Sequence, residues 1–190
     1  MKGNNYFNKG QRAFMLGDLQ ESAKMFSKAL GEEYEPVKTL LSRGAVYLTT
    51  QEYARALEDF NLVLEIDGNN ERAYYYRGIT YLRKREYEQA AADFDNSLFL
   101  NSQRGTAYFA RGVAWTMLGE QDKALADFEQ AVAFAHVEAK QIFNIFGKEP
   151  ALLKRFKDLW EGQEWSTFPR IFTEVELNTI KGWREQHIDQ

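Results

Sequence analysis

The chain has 190 residues, 44% hydrophobic and 27% charged, which is a globular composition and not a disordered one. Its formal charge of −4, from 24 basic and 28 acidic residues, argues against a nucleic-acid partner, because phosphate binding needs a basic surface. With no cysteine, disulfides, thiolate nucleophiles and cysteine–zinc sites are excluded, and the two histidines, His136 and His187, are too far apart for an HExxH pair.

The N-terminal stretch MKGNNYFNKGQRAF lacks the apolar run of a signal peptide. The longest apolar runs, such as Ala131 to Ala135, are far shorter than the roughly 20 residues needed to cross a bilayer. A cytoplasmic protein with no membrane partner is expected. The first predicted element is a helix pair broken at Gly17-Asp18. Gly10 lies inside its first helix, and Ser22, Phe26 and Leu30 lie along its second. The same pattern returns 34 residues on, at Gly44, Ala56, Phe60 and Leu64. It returns again at Gly78, Ala90, Phe94 and Leu98, and a fourth time at Gly112, Ala124, Phe128 and Val132. Four residues before each glycine stands Tyr6, Leu40, Tyr74 or Tyr108; three after it stands Ala13, Tyr47, Tyr81 or Trp115. A fixed period of this length signals a repeat architecture.

Apolar residues within each unit are spaced by three and four, as in Tyr75, Ile79 and Leu82, or Tyr87, Ala90, Phe94 and Leu98. That is the helical period and not the strand period of two. Asp67-Gly68-Asn69-Asn70 and Asn101-Ser102 supply turn and capping chemistry between units, and Pro36 suits a helix start. The small residues have a packing reason: glycine in one helix and Ala or Ser in the next let two axes approach while the phenylalanine fills the gap. Arg43, Arg77 and Arg111 recur in step with Asp59, Asp93 and Asp127, and ion pairs within or between units are expected. In the first unit the corresponding residues are Lys9 and Met25.

Residues 137–190 leave the pattern. Three helices are expected there: about 137–146, continuous with the helix from Gln121 because no Gly or Pro intervenes; about 149–161; and about 173–186, opened by a Thr173/Glu176 capping box. Trp160, Trp165 and Trp183 fall in this segment. A cap on the exposed end of an array is the favoured reading. Occupation of the array's groove and docking of a partner are the alternatives.

The aromatic–Gly–Tyr–Ala–Phe–Ala pattern resembles the tetratricopeptide repeat, in four units at 3–36, 37–70, 71–104 and 105–136, with 137–190 as a helical extension or cap. The resemblance implies an all-α fold of helix pairs stacked in a right-handed superhelix, an α-solenoid. It departs from the usual pattern where Lys9, Arg43, Arg77 and Arg111 replace a leucine, and where the closing proline is absent. It further implies a concave face lined by the first helix of each unit. That face would hold Phe7, Gln11, Phe14, Leu41, Ala45, Leu48, Arg72, Tyr75, Ile79, Leu82, Phe109 and Val113, with Tyr75 and Phe109 as anchors. The carboxylate clamp of some relatives would fall on Phe7, Gln11, Ser42, Arg72 and Tyr76, where only Arg72 keeps the charge, so that clamp is not expected.

The chain has no phosphate-binding GxxxxGK[ST] or GxGxxG motif and no GxSxG elbow, so no enzyme, cofactor or metal is expected. The expected function is an adaptor or scaffold that binds a partner peptide or amphipathic helix in the concave groove. Two alternatives stand beside it: a homo-oligomer assembled through the C-terminal helices, and a chaperone-like holder of an unfolded client.

Overall fold

The computed structural model describes residues 2–146, and every regular element among them is an α-helix. The helices expected at about 149–161 and 173–186, and the tryptophans Trp160, Trp165 and Trp183, lie outside the described residues. The chain divides into two compact units between Asn101 and Ser102.

The first unit holds three helix pairs: α1 (Lys2–Met15) with α2 (Leu19–Gly31), α3 (Pro36–Thr49) with α4 (Tyr53–Ile66), and α5 (Glu71–Arg83) with α6 (Tyr87–Leu100). Each pair packs on itself. Neighbouring pairs then stack through α2 on α3 and α4 on α5, and the first helices touch in series, α1 on α3 and α3 on α5. The second unit's described part is one more pair, α7 (Gly105–Met117) and α8 (Gln121–Phe146). α8 runs unbroken past position 136, as the lack of an intervening Gly or Pro predicts.

The 34-residue period has a direct structural cause. A methyl group on Gly78 would lie 2.8 Å from Phe94 Cε1, and the glycine–phenylalanine partners 10/26, 44/60 and 112/128 meet in the same way at 2.8, 2.6 and 2.7 Å. The ring rests on the bare backbone of the facing helix. Ser22, Ala56, Ala90 and Ala124 are all fully buried one turn before that ring, and the Ser22 hydroxyl donates to the Gly10 carbonyl at 2.9 Å. Around this contact the core of the first unit gathers Phe7, Phe26, Ala29 and Val46, then Leu40, Leu41, Tyr47, Phe60 and Val63.

The expected ion pairs form inside the second, third and fourth pairs of helices. Arg43 grips Asp59 with two bonds, Nε to Oδ2 at 2.9 Å and Nη2 to Oδ1 at 2.7 Å. Arg77 grips Asp93 and Arg111 grips Asp127 in the same two-pronged way. The third prong links neighbouring pairs: Arg43 Nη1 donates to Ser27 Oγ at 3.0 Å, and Arg77 Nη1 to Asn61 Oδ1 at 2.7 Å. Burial pushes the Asp59 and Asp93 carboxyls above their ordinary value, while the bonds each arginine donates to its carboxylate raise the arginine, which stays charged. These residues are scaffold. Their carboxylates are nearly inaccessible, with side-chain exposures of 3% at Asp59 and 5% at Asp93.

Turn chemistry sets the ends. Asp18 Oδ1 caps the Glu21 amide at 3.1 Å, Asn70 Oδ1 caps the Ala73 amide at 3.0 Å, and Pro36 occupies the first turn of α3. The turn inside each pair needs a left-handed residue at one fixed place. Gly17 and Gly119 take it at φ of 79° and 81°, and Gln51 and Arg85 take it at 63° despite their side chains.

Candidate peptide-binding groove

Because α1, α3 and α5 run in the same direction side by side, their i, i+4, i+7 rows form one surface. On it lies a groove of about 880 Å³, wholly within the first unit. α1 contributes Phe7, Gln11 and Phe14, α3 contributes Leu41 and Ala45, and the first turn of α5 contributes Arg72 and Tyr76. Phe14 is 42% exposed and Met15, beside it, 78%. The apolar wall is therefore reachable from solvent. Phe7 forms the floor: its ring is 5.3 Å from Phe26 and 5.6 Å from Tyr34, with the Lys38 ammonium 4.8 Å above it.

The groove brings together Phe7, Gln11, Phe14, Leu41, Ala45 and Arg72. Six expected residues lie elsewhere. Leu48 is half-buried against the core around Phe60. Tyr75 is only 7% exposed, its ring 5.4 Å from Tyr76 and 6.1 Å from Phe94, so it is a packing residue and not an open anchor. Ile79 and Leu82 are 2% and 0% exposed. In the second unit Val113 is buried, and the Phe109 ring is held 5.6 Å from Phe128. The physical reason is shared: an apolar residue on a row that also touches the next helix is worth more buried than presented.

Sequence reasoning overlooked the loop before α3. Glu35, Pro36 and Val37 join the groove because the chain turns there with left-handed Glu33 and Glu35, at φ of 53° and 37°, which apolar periodicity does not signal. Hydrogen bonds from Tyr34 and Lys38 hold the Glu35 carboxyl below its ordinary range, so a charged Glu35–Lys38 pair, 3.0 Å apart, sits at the rim. No group of three or more acidic, histidine or cysteine side chains among the described residues is placed to hold a metal. No described helix is long and apolar enough to cross a membrane.

Stacked helix pairs carrying this motif define a helical-repeat protein. The family pattern described as tetratricopeptide repeat matches residues 7–71 and 75–137, and the chain belongs to that family. No curated protein sequence matches it significantly. Among solved structures it is similar to MamA, at 21% identity and a TM-score of 0.66 over 97% of this chain and 91% of that one. It is also similar to the second TPR of Spaghetti bound to an HSP90 peptide, at 28% identity and a TM-score of 0.52 over 53% of this chain and 93% of that one. A third similar structure is YrrB, described as a TPR protein with an unusual peptide-binding site, at 20% identity and a TM-score of 0.62 over 70% of this chain and 68% of that one.

Proposed function

We propose that this chain is a protein-interaction adaptor whose groove between α1, α3 and α5 takes a segment of a partner protein. The observation that carries the reading is an exposed aromatic on a cleft: Phe14, at 42% exposure, lines a cleft of about 880 Å³ together with half-buried Ala45 and buried Leu41. A cleft of that size suits several side chains of an extended or helical peptide. The HSP90 peptide bound to the second TPR of Spaghetti, and the peptide-binding site described for YrrB, support the same use of the fold.

The test is affinity capture with the full chain and with Phe14→Asp, quantified by mass spectrometry, after both are shown to unfold at the same urea concentration. A single dominant partner lost with Phe14→Asp is the expected result. A partner set unchanged by the substitution refutes the groove, and a broad set of unrelated clients lost together points to a chaperone-like holder instead.

A further inference from the structure

The chain has no cysteine, so no thiol competes for a peroxide and the methionine thioethers are its oxidisable sulfurs. Three of the four methionines fall among the described residues, and they differ sharply in access. Met25 is buried inside the first pair at 6% exposure, and Met117 is half-buried. Met15 is 78% exposed. It is the last residue of α1 and lines the groove beside Phe14.

The fold does not depend on an apolar side chain at this place. In register with Met15 stand Thr49 in the second pair, exposed, and Arg83 in the third, half-buried. Polar side chains are therefore accommodated at the end of a first helix. A sulfoxide on Met15 meets solvent, whereas one on Met25 would carry an unpaired acceptor into the interior of its pair. The groove responds differently. A thioether is a flexible apolar surface, and a sulfoxide is polar. Oxidation at Met15 removes apolar surface next to Phe14 while the helices keep their packing.

We infer that Met15 is a site of reversible sulfoxidation that weakens the groove's hold on apolar ligands and leaves the fold intact. The oxidant is hydrogen peroxide: its O–O bond breaks, one oxygen joins the sulfur lone pair, and the other leaves as water. In the return step the sulfoxide oxygen leaves as water while two thiols of a reductant form a disulfide. The effect on binding rests on the groove reading above; the site of oxidation does not.

Dilute peroxide followed by peptide mass spectrometry over time tests the site in the full-length chain. Met15 is expected to gain one oxygen well before Met25 or Met117, and methionine sulfoxide reductases with dithiothreitol should remove it. The chain oxidised at Met15 and the untreated chain should share one urea midpoint. Peptides enriched on the untreated chain from a random display library serve as the binding probe, added after peroxide is removed. Their affinity, measured by fluorescence polarisation, should fall about fivefold or more on oxidation and with Met15→Gln. Met15→Leu should show the same affinity before and after peroxide. Earlier oxidation of Met25 or Met117, a lowered urea midpoint when Met15 alone is oxidised, or affinity indifferent to oxidation overturns the inference and leaves the groove standing. A library that enriches nothing, or peptides that bind Phe14→Asp as well as wild type, removes the groove and with it the effect on binding.

Discussion

Gly78→Ala is the sharpest probe of the contact that sets the repeat. Two effects compete. In a helix interior alanine is favoured over glycine by about 1 kcal/mol. Against that, the new methyl group would lie 2.8, 3.0 and 3.2 Å from three atoms of the Phe94 ring, where ordinary contact begins near 3.4 Å. Phe94 is 0% exposed, so the ring has no room to swing away. Overpacking of this kind costs about 1–3 kcal/mol, and three simultaneous ring contacts place it near the top of that range. The net expectation is a loss of about 2 kcal/mol. Gly31→Ala is the control. It ends α2, and a methyl group there meets nothing within 4 Å, so the propensity gain acts alone and stability rises by about 0.5 kcal/mol. Urea unfolding followed by circular dichroism reads both as midpoint shifts at constant slope. If Gly78→Ala is as stable as wild type, the ring-on-glycine account of the repeat is wrong. Combining Gly78→Ala with Phe94→Leu should cost less than the two singly, since the shorter side chain vacates the contested space.

Other substitutions probe the remaining features. Arg77→Met leaves the buried Asp93 without its partner and should cost about 3 kcal/mol, with Arg77→Met/Asp93→Leu recovering most of it in the same urea assay. Gln51→Gly and Arg85→Gly relieve the left-handed turns and should each raise stability by about 0.5–1 kcal/mol; a loss at either site would show that its side chain contributes more than the strain. Burial raises the Asp93 carboxyl above 3.8, so in the window between 3.8 and the folded value the folded chain holds this proton more tightly than the unfolded chain does. Stability from this group therefore declines as pH rises from 3.8 through the folded value, and Asp93→Asn should flatten that part of the profile of unfolding free energy against pH. Phe14→Asp, at an exposed position, should leave the melting temperature within about 2 °C of wild type while abolishing peptide binding.

The scaffold was legible because it repeats. One Gly–Phe contact is weak evidence of a fold, but four in register, with Arg–Asp partners in step, identify helix pairs and the residues that join them. The groove was half legible, for a physical reason. Periodicity shows that Phe14 and Leu82 occupy the same place in their units, but not that one is 42% exposed and the other fully buried. That difference depends on what packs against each turn of helix, which a shared register conceals. Tyr75 misleads in the same way, since an aromatic on the expected row serves the core as well as it serves a ligand. The loop at Glu35 was missed because non-glycine residues hold left-handed backbone there, and no residue type announces it.

Arg43 joins three helices at once: it leaves α3, binds Asp59 on α4 and reaches Ser27 on α2. Arg77 repeats this from α5 to Asp93 on α6 and Asn61 on α4. Each guanidinium is thus a rivet through the seam between successive pairs, and a pair cannot melt without breaking the bond its neighbour relies on. Amide exchange should reflect this, with α3 and α4 opening together and not as separate helices. The first pair, with Lys9 and Met25 in place of Arg and Asp, supplies only the receiving Ser27, so the rivets begin one pair in. The same arrangement limits how such an array can lengthen. A new pair of helices extends the row of rivets only if it brings an arginine and an aspartate of its own and finds a hydroxyl or amide on the pair before it.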